Sequence, residues 1–98
     1  MNKNIYELIE YPKEGILSKN IHKDNKSDVT LFCMTKDAEM LEHTSTREGF
    51  IYVLEGEGIF NLEGKDIKMK KGTLIIMNKN EKHSLGANKN LSFLLTLI

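Results

Sequence analysis

Apolar residues in this chain fall into short runs, each closed by a polar or glycine-containing break. Val29 to Met34, rich in β-branched and aromatic residues, predicts a strand. Met40 to Ser45, Phe50 to Leu54, Ile59 to Leu62 and Asp66 to Met69 predict further strands, the last two joined by a hairpin turn around Glu63-Gly64-Lys65. Leu74-Ile75-Ile76-Met77 is apolar at every position, the pattern of a strand covered on both faces. Gly15 to Ile21 and Leu91 to Ile98 complete the candidate strands, and the short apolar segment Ile5 to Ile9 also suits one helical turn. Tyr11 to Gly15 reads as a turn. His22 to Asp28 and Asn78 to Lys82 are polar and read as loops, with His83 closing the second. Short strands at near-regular spacing, with no long helical pattern, predict an all-β, antiparallel sandwich or barrel.

A length of 98 residues sets one domain over 1–98, with an N-terminal segment (1–28) and a core (29–98). So small a domain leaves much of its surface exposed when it folds alone, which favours pairing with a second copy. Fourteen Lys plus Arg balance fourteen Asp plus Glu, so no basic excess points to nucleic acid. The densest basic stretch, Lys65 to Lys71, alternates with Asp66, Ile67 and Met69, as a solvated strand edge would. The single Cys33 has no internal disulfide partner and lies in the apolar run Leu31-Phe32-Cys33-Met34, which reads as a buried, unreactive thiol. With no membrane-length apolar stretch and no leader pattern, the expected setting is the cytoplasm, away from membranes.

Candidate chemistry gathers on histidine. His43 ends the strand Met40-Leu41-Glu42-His43, and His83 follows the loop after Leu74 to Met77, so both sit where strands meet loops. Each is open to two readings: a hydrogen-bonded residue at a barrel rim, or a ligand or base, since imidazole serves both metals and proton transfer. His22 lies in a polar stretch and reads as exposed. Met34, Met40, Met69 and Met77 read as core filler rather than as metal ligands.

The spacing of His43 to Gly58, His-Thr-Ser-Thr-Arg-Glu-Gly-Phe-Ile-Tyr-Val-Leu-Glu-Gly-Glu-Gly, resembles the first motif of the cupin family. That motif runs His-x-His, three or four residues, Glu, six residues, Gly. Gly72 to Asn88 resembles the second, which runs Gly, five residues, Pro-x-Gly, two residues, His, three residues, Asn. The resemblance implies a double-stranded β-helix, the cupin jelly-roll barrel, with its site inside the mouth. Gly15-Ile16-Leu17-Ser18-Lys19, Glu42-His43-Thr44 and Leu94-Leu95-Thr96-Leu97-Ile98 are similar to segments of small one-domain bacterial cupins.

Departures from the motifs decide what the resemblance implies for chemistry. Metal-binding cupins take two His and a Glu from the first motif and a His from the second. His43 matches the first ligand and His83 the last, but Ser45 and Gly49 stand at the other two positions. Asn78 and Asn80 replace the Pro and Gly of the second motif, and Ala87 falls at its Asn. If Gly49, Ile51 and Val53 face inward, strand alternation turns Glu48, Phe50 and Tyr52 outward, which weakens Glu48 as a substitute ligand unless a bulge reverses the parity. Ser45 is a poor first-row ligand, and two imidazoles fall short of the three protein ligands usual for catalytic zinc. Cys33, on a neighbouring strand, is the other residue to weigh as a third ligand, and its flanks Phe32 and Met34 favour packing instead. Restoring both residues, Ser45→His with Gly49→Glu, is expected to complete a four-ligand cage, provided Gly49 does not need a positive φ.

The expectation is therefore a small-molecule-binding barrel with His43, Ser45 and His83 as its polar groups and no cofactor required. The alternative is a metal-dependent enzyme of the dioxygenase or isomerase type, holding a divalent metal through His43, His83 and, more weakly, Glu48. A third account is a structural or sensing dimer with no chemistry of its own. A symmetric homodimer is expected in each case, because the N-terminal segment, Phe50, Tyr52 and the last strand offer more apolar surface than one small barrel should show to water.

Overall fold

The computed structural model describes residues 2–98. A single 3-10 turn, Ile5–Leu8, precedes nine strands: β1 Ile16–Lys23, β2 Asp28–Met34, β3 Glu39–His43, β4 Gly49–Glu55, β5 Glu57–Leu62, β6 Lys65–Lys70, β7 Leu74–Met77, β8 His83–Ala87 and β9 Leu91–Leu97. They form two antiparallel sheets, one ordered β1-β2-β9-β4-β7 and the other β3-β8-β5-β6. Consecutive strands repeatedly change sheets, as in a jelly roll.

Strand alternation builds the core between the sheets. Along β4, Gly49, Ile51 and Val53 are buried while Phe50 and Tyr52 are exposed, so the expected parity holds. Met34, Met69 and Met77 join Ile51, Val53, Phe60, Leu91 and Phe93 in the main cluster, with Met40 packed against it, so all four methionines fill core. Phe32 stacks on Phe93, its register partner on the neighbouring strand, with centroids 5.3 Å apart. The basic stretch becomes β6, at the edge of its sheet, with Ile67 and Met69 turned inward.

A second, smaller cluster lies on the opposite face of the five-stranded sheet. Leu31, Cys33 and Leu54 are buried there under Ile5, Leu8, Ile9 and Tyr11, so the N-terminal segment forms a clasp across the outside of the barrel. Asn4 caps its 3-10 turn by accepting from the Tyr6 N–H at 2.9 Å. The Tyr11 hydroxyl donates to Glu55 Oε1 at 3.2 Å, and Lys19 pairs with Glu10 at 2.9 Å.

Three sequence expectations are corrected. His22 and Lys23 belong to β1, and the loop shrinks because Asp24 Oδ1 accepts the N–H groups of Lys26 and Ser27, both at 2.8 Å, closing a tight turn. His83 opens strand β8, unforeseen because its outward positions are Ser84 and Gly86. The β7 run is covered on one face only: Ile75 and Met77 are buried, whereas Leu74 and Ile76 are 58% and 65% exposed.

Candidate functional site

β3 and β8 pair so that His43 and His83 are direct register partners, and their side chains therefore share one face of the sheet. The two rings meet edge to face, with centroids 4.2 Å apart. Phe60, from the adjacent strand β5, lies nearly parallel to His83 at 5.8 Å and backs it with the main core. His83 is 6% exposed, while His43 stands at the surface.

Both imidazoles are oriented by the same local device. His43 Nδ1 lies 2.7 Å from the carbonyl of Leu41, and His83 Nδ1 lies 3.0 Å from the carbonyl of Glu81, in each case two residues back. A carbonyl only accepts, so each Nδ1 carries the proton and donates it. In the neutral rings each Nε2 then holds the lone pair, and among the described residues neither has a hydrogen-bond partner. Burial pushes the His83 pKa below the ordinary histidine value; the Glu81 carbonyl opposes the shift and the neighbouring His43 adds to it.

The surrounding loops are tied into the same rim. Ser45 lies past the end of β3; its Oγ accepts the Arg47 N–H at 3.1 Å and its carbonyl accepts the Asn80 N–H at 2.7 Å. Ser45 thus bridges the β3–β4 and β7–β8 loops at this end of the barrel. Asn80, where the motif has Gly, adopts a φ of 65°, a conformation asparagine tolerates better than most residues. Gly56 keeps the Gly of the first motif: its φ is 94°, and an added Cβ would collide with the backbone of Asn90.

The donors for a metal do not assemble. Glu48 is exposed at the start of β4, with parity opposite to the inward Gly49. Cys33 lies under the N-terminal clasp, on the face of the sheet away from the main core. Among the described residues no three His, Cys, Asp or Glu side chains come together in a way that would hold an ion. The two convergent imidazoles thus do not fit the four-ligand cage that the motifs imply. Nor would restoring the missing Glu be simple. Gly49 has no positive φ, but a Cβ there would lie 2.7 Å from the Thr96 carbonyl oxygen and 2.8 Å from Leu97 Cδ2. The expected four-ligand cage is therefore blocked by the close approach of β9, not by backbone strain.

A profile described as a cupin domain matches residues 30–97. The chain belongs to the cupin family. A solved cupin 2 conserved barrel domain protein from Leptotrichia buccalis superposes with a TM-score of 0.92 at 28% identity, covering 98% of this chain and 47% of that one. A conserved Streptococcus pyogenes protein of unknown function gives a TM-score of 0.91 at 18% identity, covering 100% of this cupin and 86% of that chain. Over 49 residues the sequence is 39% identical to an oxalate-binding protein of Thermotoga maritima, covering 48% of this chain and 40% of that protein. The cupin described here thus spans less than half the length of that relative.

The outer face of the four-stranded sheet carries a shallow groove of about 440 Å³, floored by Ser84 and Gly86 and rimmed by Glu39, Glu42 and Asp66. No feature of the sequence motifs points to it, and it lies across the sheet from the buried His83.

Proposed function

We propose that this cupin domain binds a small, carboxylate- or hydroxyl-bearing molecule at the barrel rim, against His43 and His83. The observation that carries this reading is the pair of Nε2 atoms, freed by carbonyl anchors on both Nδ1 atoms. Such atoms accept from a ligand hydroxyl or protonated carboxyl, and donate to a carboxylate once an imidazole takes up a proton. Phe60 gives the pair an apolar backing, so few polar groups and an apolar wall meet at one place, as small-molecule sites require. Ser45 and the Asn80 loop shape the rim.

The name of the Thermotoga relative makes oxalate the first probe. Titration with oxalate, malonate and a small hydroxy acid, followed through the imidazole carbon-bound protons by NMR, is expected to move the His43 and His83 signals. His43→Ala should abolish the response while the fold persists. Ligand-induced shifts confined to the outer groove, or none at either histidine with any probe, would overturn the proposal. The metal-dependent enzyme alternative finds no third donor beside His43 and His83 among the described residues and is not favoured. An unpaired, buried thiol supports placing the protein in a reducing compartment such as the cytoplasm.

A further inference from the structure

A row of side chains crosses the outer face of the five-stranded sheet beneath the clasp. Register pairs Leu17 of β1 with Cys33 of β2, Cys33 with Ser92 of β9, and Ser92 with Glu55 of β4. Direct partners on one face hold their Cβ atoms about 4.5–5.5 Å apart, so the Cys33 thiol and the Ser92 hydroxyl are immediate neighbours. Both residues are fully buried. Glu55 takes its bond from the Tyr11 hydroxyl, at 3.2 Å. Ser92 Oγ, by contrast, has no hydrogen-bond partner among the described residues. Burial raises the Tyr11 pKa and the nearby Ser92 hydroxyl opposes the shift, yet no hydrogen bond joins the two side chains. A hydroxyl sealed away from water without a bond is costly to keep, and an alanine would avoid that cost. Placed against a thiol, such a hydroxyl is ready to bond a polar atom carried on the sulfur.

We propose that Cys33 is an oxidation site, at which a small peroxide adds one oxygen to Sγ and Ser92 Oγ holds the sulfenic acid so formed. In that step the Cys33 thiolate attacks one oxygen of hydrogen peroxide. The S–O bond forms, the O–O bond breaks, and the departing hydroxide takes up the proton that the thiol released and leaves as water. Sulfur is oxidised and the peroxide is reduced. The Ser92 hydroxyl can donate to the sulfenic oxygen or accept from its O–H. Once the clasp recloses, Ile5, Leu8, Ile9 and Tyr11 shield the product from further peroxide. The chain has no second cysteine to condense with it, the usual route by which a sulfenic acid is lost. Size selects the modification as well: a single oxygen fits beneath the cover, whereas a large thiol in mixed disulfide would hold the clasp off the sheet. Access comes through the clasp, whose polar ties, Tyr11–Glu55 and Glu10–Lys19, lie at the surface. In the closed chain burial keeps the thiol above its ordinary pKa, against the Glu10 N–H and the Lys19 charge. Opening removes that burial and leaves Lys19, one row away on the same face, to favour the thiolate. The site shares no residue with the His43–His83 pair and is independent of the ligand reading given for it.

The test uses the full chain and hydrogen peroxide. After exposure the peroxide is removed, the protein is unfolded in urea, and dimedone traps any sulfenic acid for mass spectrometry. The native protein is expected to give the adduct at Cys33, and Leu8→Asn, which loosens the cover, should form it faster. Ser92→Ala should shorten the lifetime of the sulfenic acid about fivefold or more, the worth of one hydrogen bond, with sulfinic acid taking its place. In the same variant, thiol labelling by a disulfide reagent should stay within about twofold of native, because the cover is intact. A merely structural role for Ser92 would move both readouts together. If Ser92→Ala fails to fold, Ser92→Thr and Ser92→Val make the same comparison, since they share a shape and differ by the hydroxyl. No adduct at Cys33 under peroxide that modifies the urea-unfolded thiol, or a lifetime unchanged without the hydroxyl, would overturn the proposal.

Discussion

The carbonyl that anchors His83 Nδ1 belongs to Glu81, and the ring so fixed lies against Phe60 on one side and His43 on another. A neutral imidazole suits that position better than an imidazolium. Burial lowers the His83 pKa first, and the nearby His43 lowers it further, outweighing the Glu81 carbonyl.

The sign of the pH dependence follows. Between the folded-state pKa and the ordinary value of about 6.5, the unfolded chain binds more protons at this residue than the folded one. The stability tied to His83 is therefore fully present above about pH 6.5 and is lost as pH falls toward the folded-state pKa. Urea midpoints at pH 7.5 and 5.5 should drop on acidification, and His83→Leu should flatten the difference. NMR titration should place the His83 midpoint below the ordinary value; a midpoint at or above it would contradict the assignment.

Gly49 tests the packing at the start of β4. A methyl group there meets the carbonyl of Thr96 at 2.7 Å, and a backbone atom cannot swing aside as a side-chain tip can. Gly49→Ala should cost about 1–3 kcal/mol, in the range of overpacked cores. Gly86→Ala is the control, because its Cβ meets only Glu39 Cγ at 3.8 Å, and it should change stability by less than about 0.5 kcal/mol. Equal costs in urea unfolding would show that the approach of β9 is not what keeps position 49 a glycine.

Motif spacing carried the central relationship of the site: the interval from His43 to His83 predicted a shared rim, and β3–β8 pairing supplies it. Inward parity along β4 was equally legible, because Gly49, Ile51 and Val53 alternate with larger outward residues. What escaped had physical causes. Strand β8 shows Ser84 and Gly86 on its outer face, so alternation there is between apolar and small rather than apolar and charged. Uniform apolarity in β7 cannot distinguish a strand covered within its own chain from one left bare on one face. The obstacle at Gly49 was invisible too, since it comes from β9, nearly fifty residues away in sequence and adjacent only in the fold.

The donor set makes a quantitative statement about metals. Two imidazoles with unclaimed Nε2 atoms can hold a divalent ion, but with no third ligand beside them among the described residues the complex should be weak. Calorimetric titration of nickel into chelator-treated protein should give a dissociation constant in the micromolar range or weaker, and His43→Ala or His83→Ala should each remove what binding there is. Nanomolar binding, or binding that survives both substitutions, would mean that other donors assemble.

Cys33 reports on the clasp. Its thiol is wholly buried beneath the N-terminal segment, and burial raises its pKa above the ordinary cysteine value, both of which suppress the reactive thiolate. The cover consists of Ile5, Leu8, Ile9 and Tyr11, held by the Tyr11–Glu55 hydrogen bond and the Glu10–Lys19 ion pair. None of these belongs to the main core cluster, so the clasp is expected to open without unfolding the barrel, as locally unstable segments do. Labelling by a disulfide reagent should be slow in the native protein and rapid in urea. Leu8→Asn, which puts a polar group into the cover, should raise the labelling rate by ten-fold or more while moving the global unfolding midpoint far less. Tyr11→Phe should act in the same direction more weakly, since it removes only the bond to Glu55. If labelling in every variant simply follows global unfolding, the clasp is part of the cooperative core and does not open independently of it.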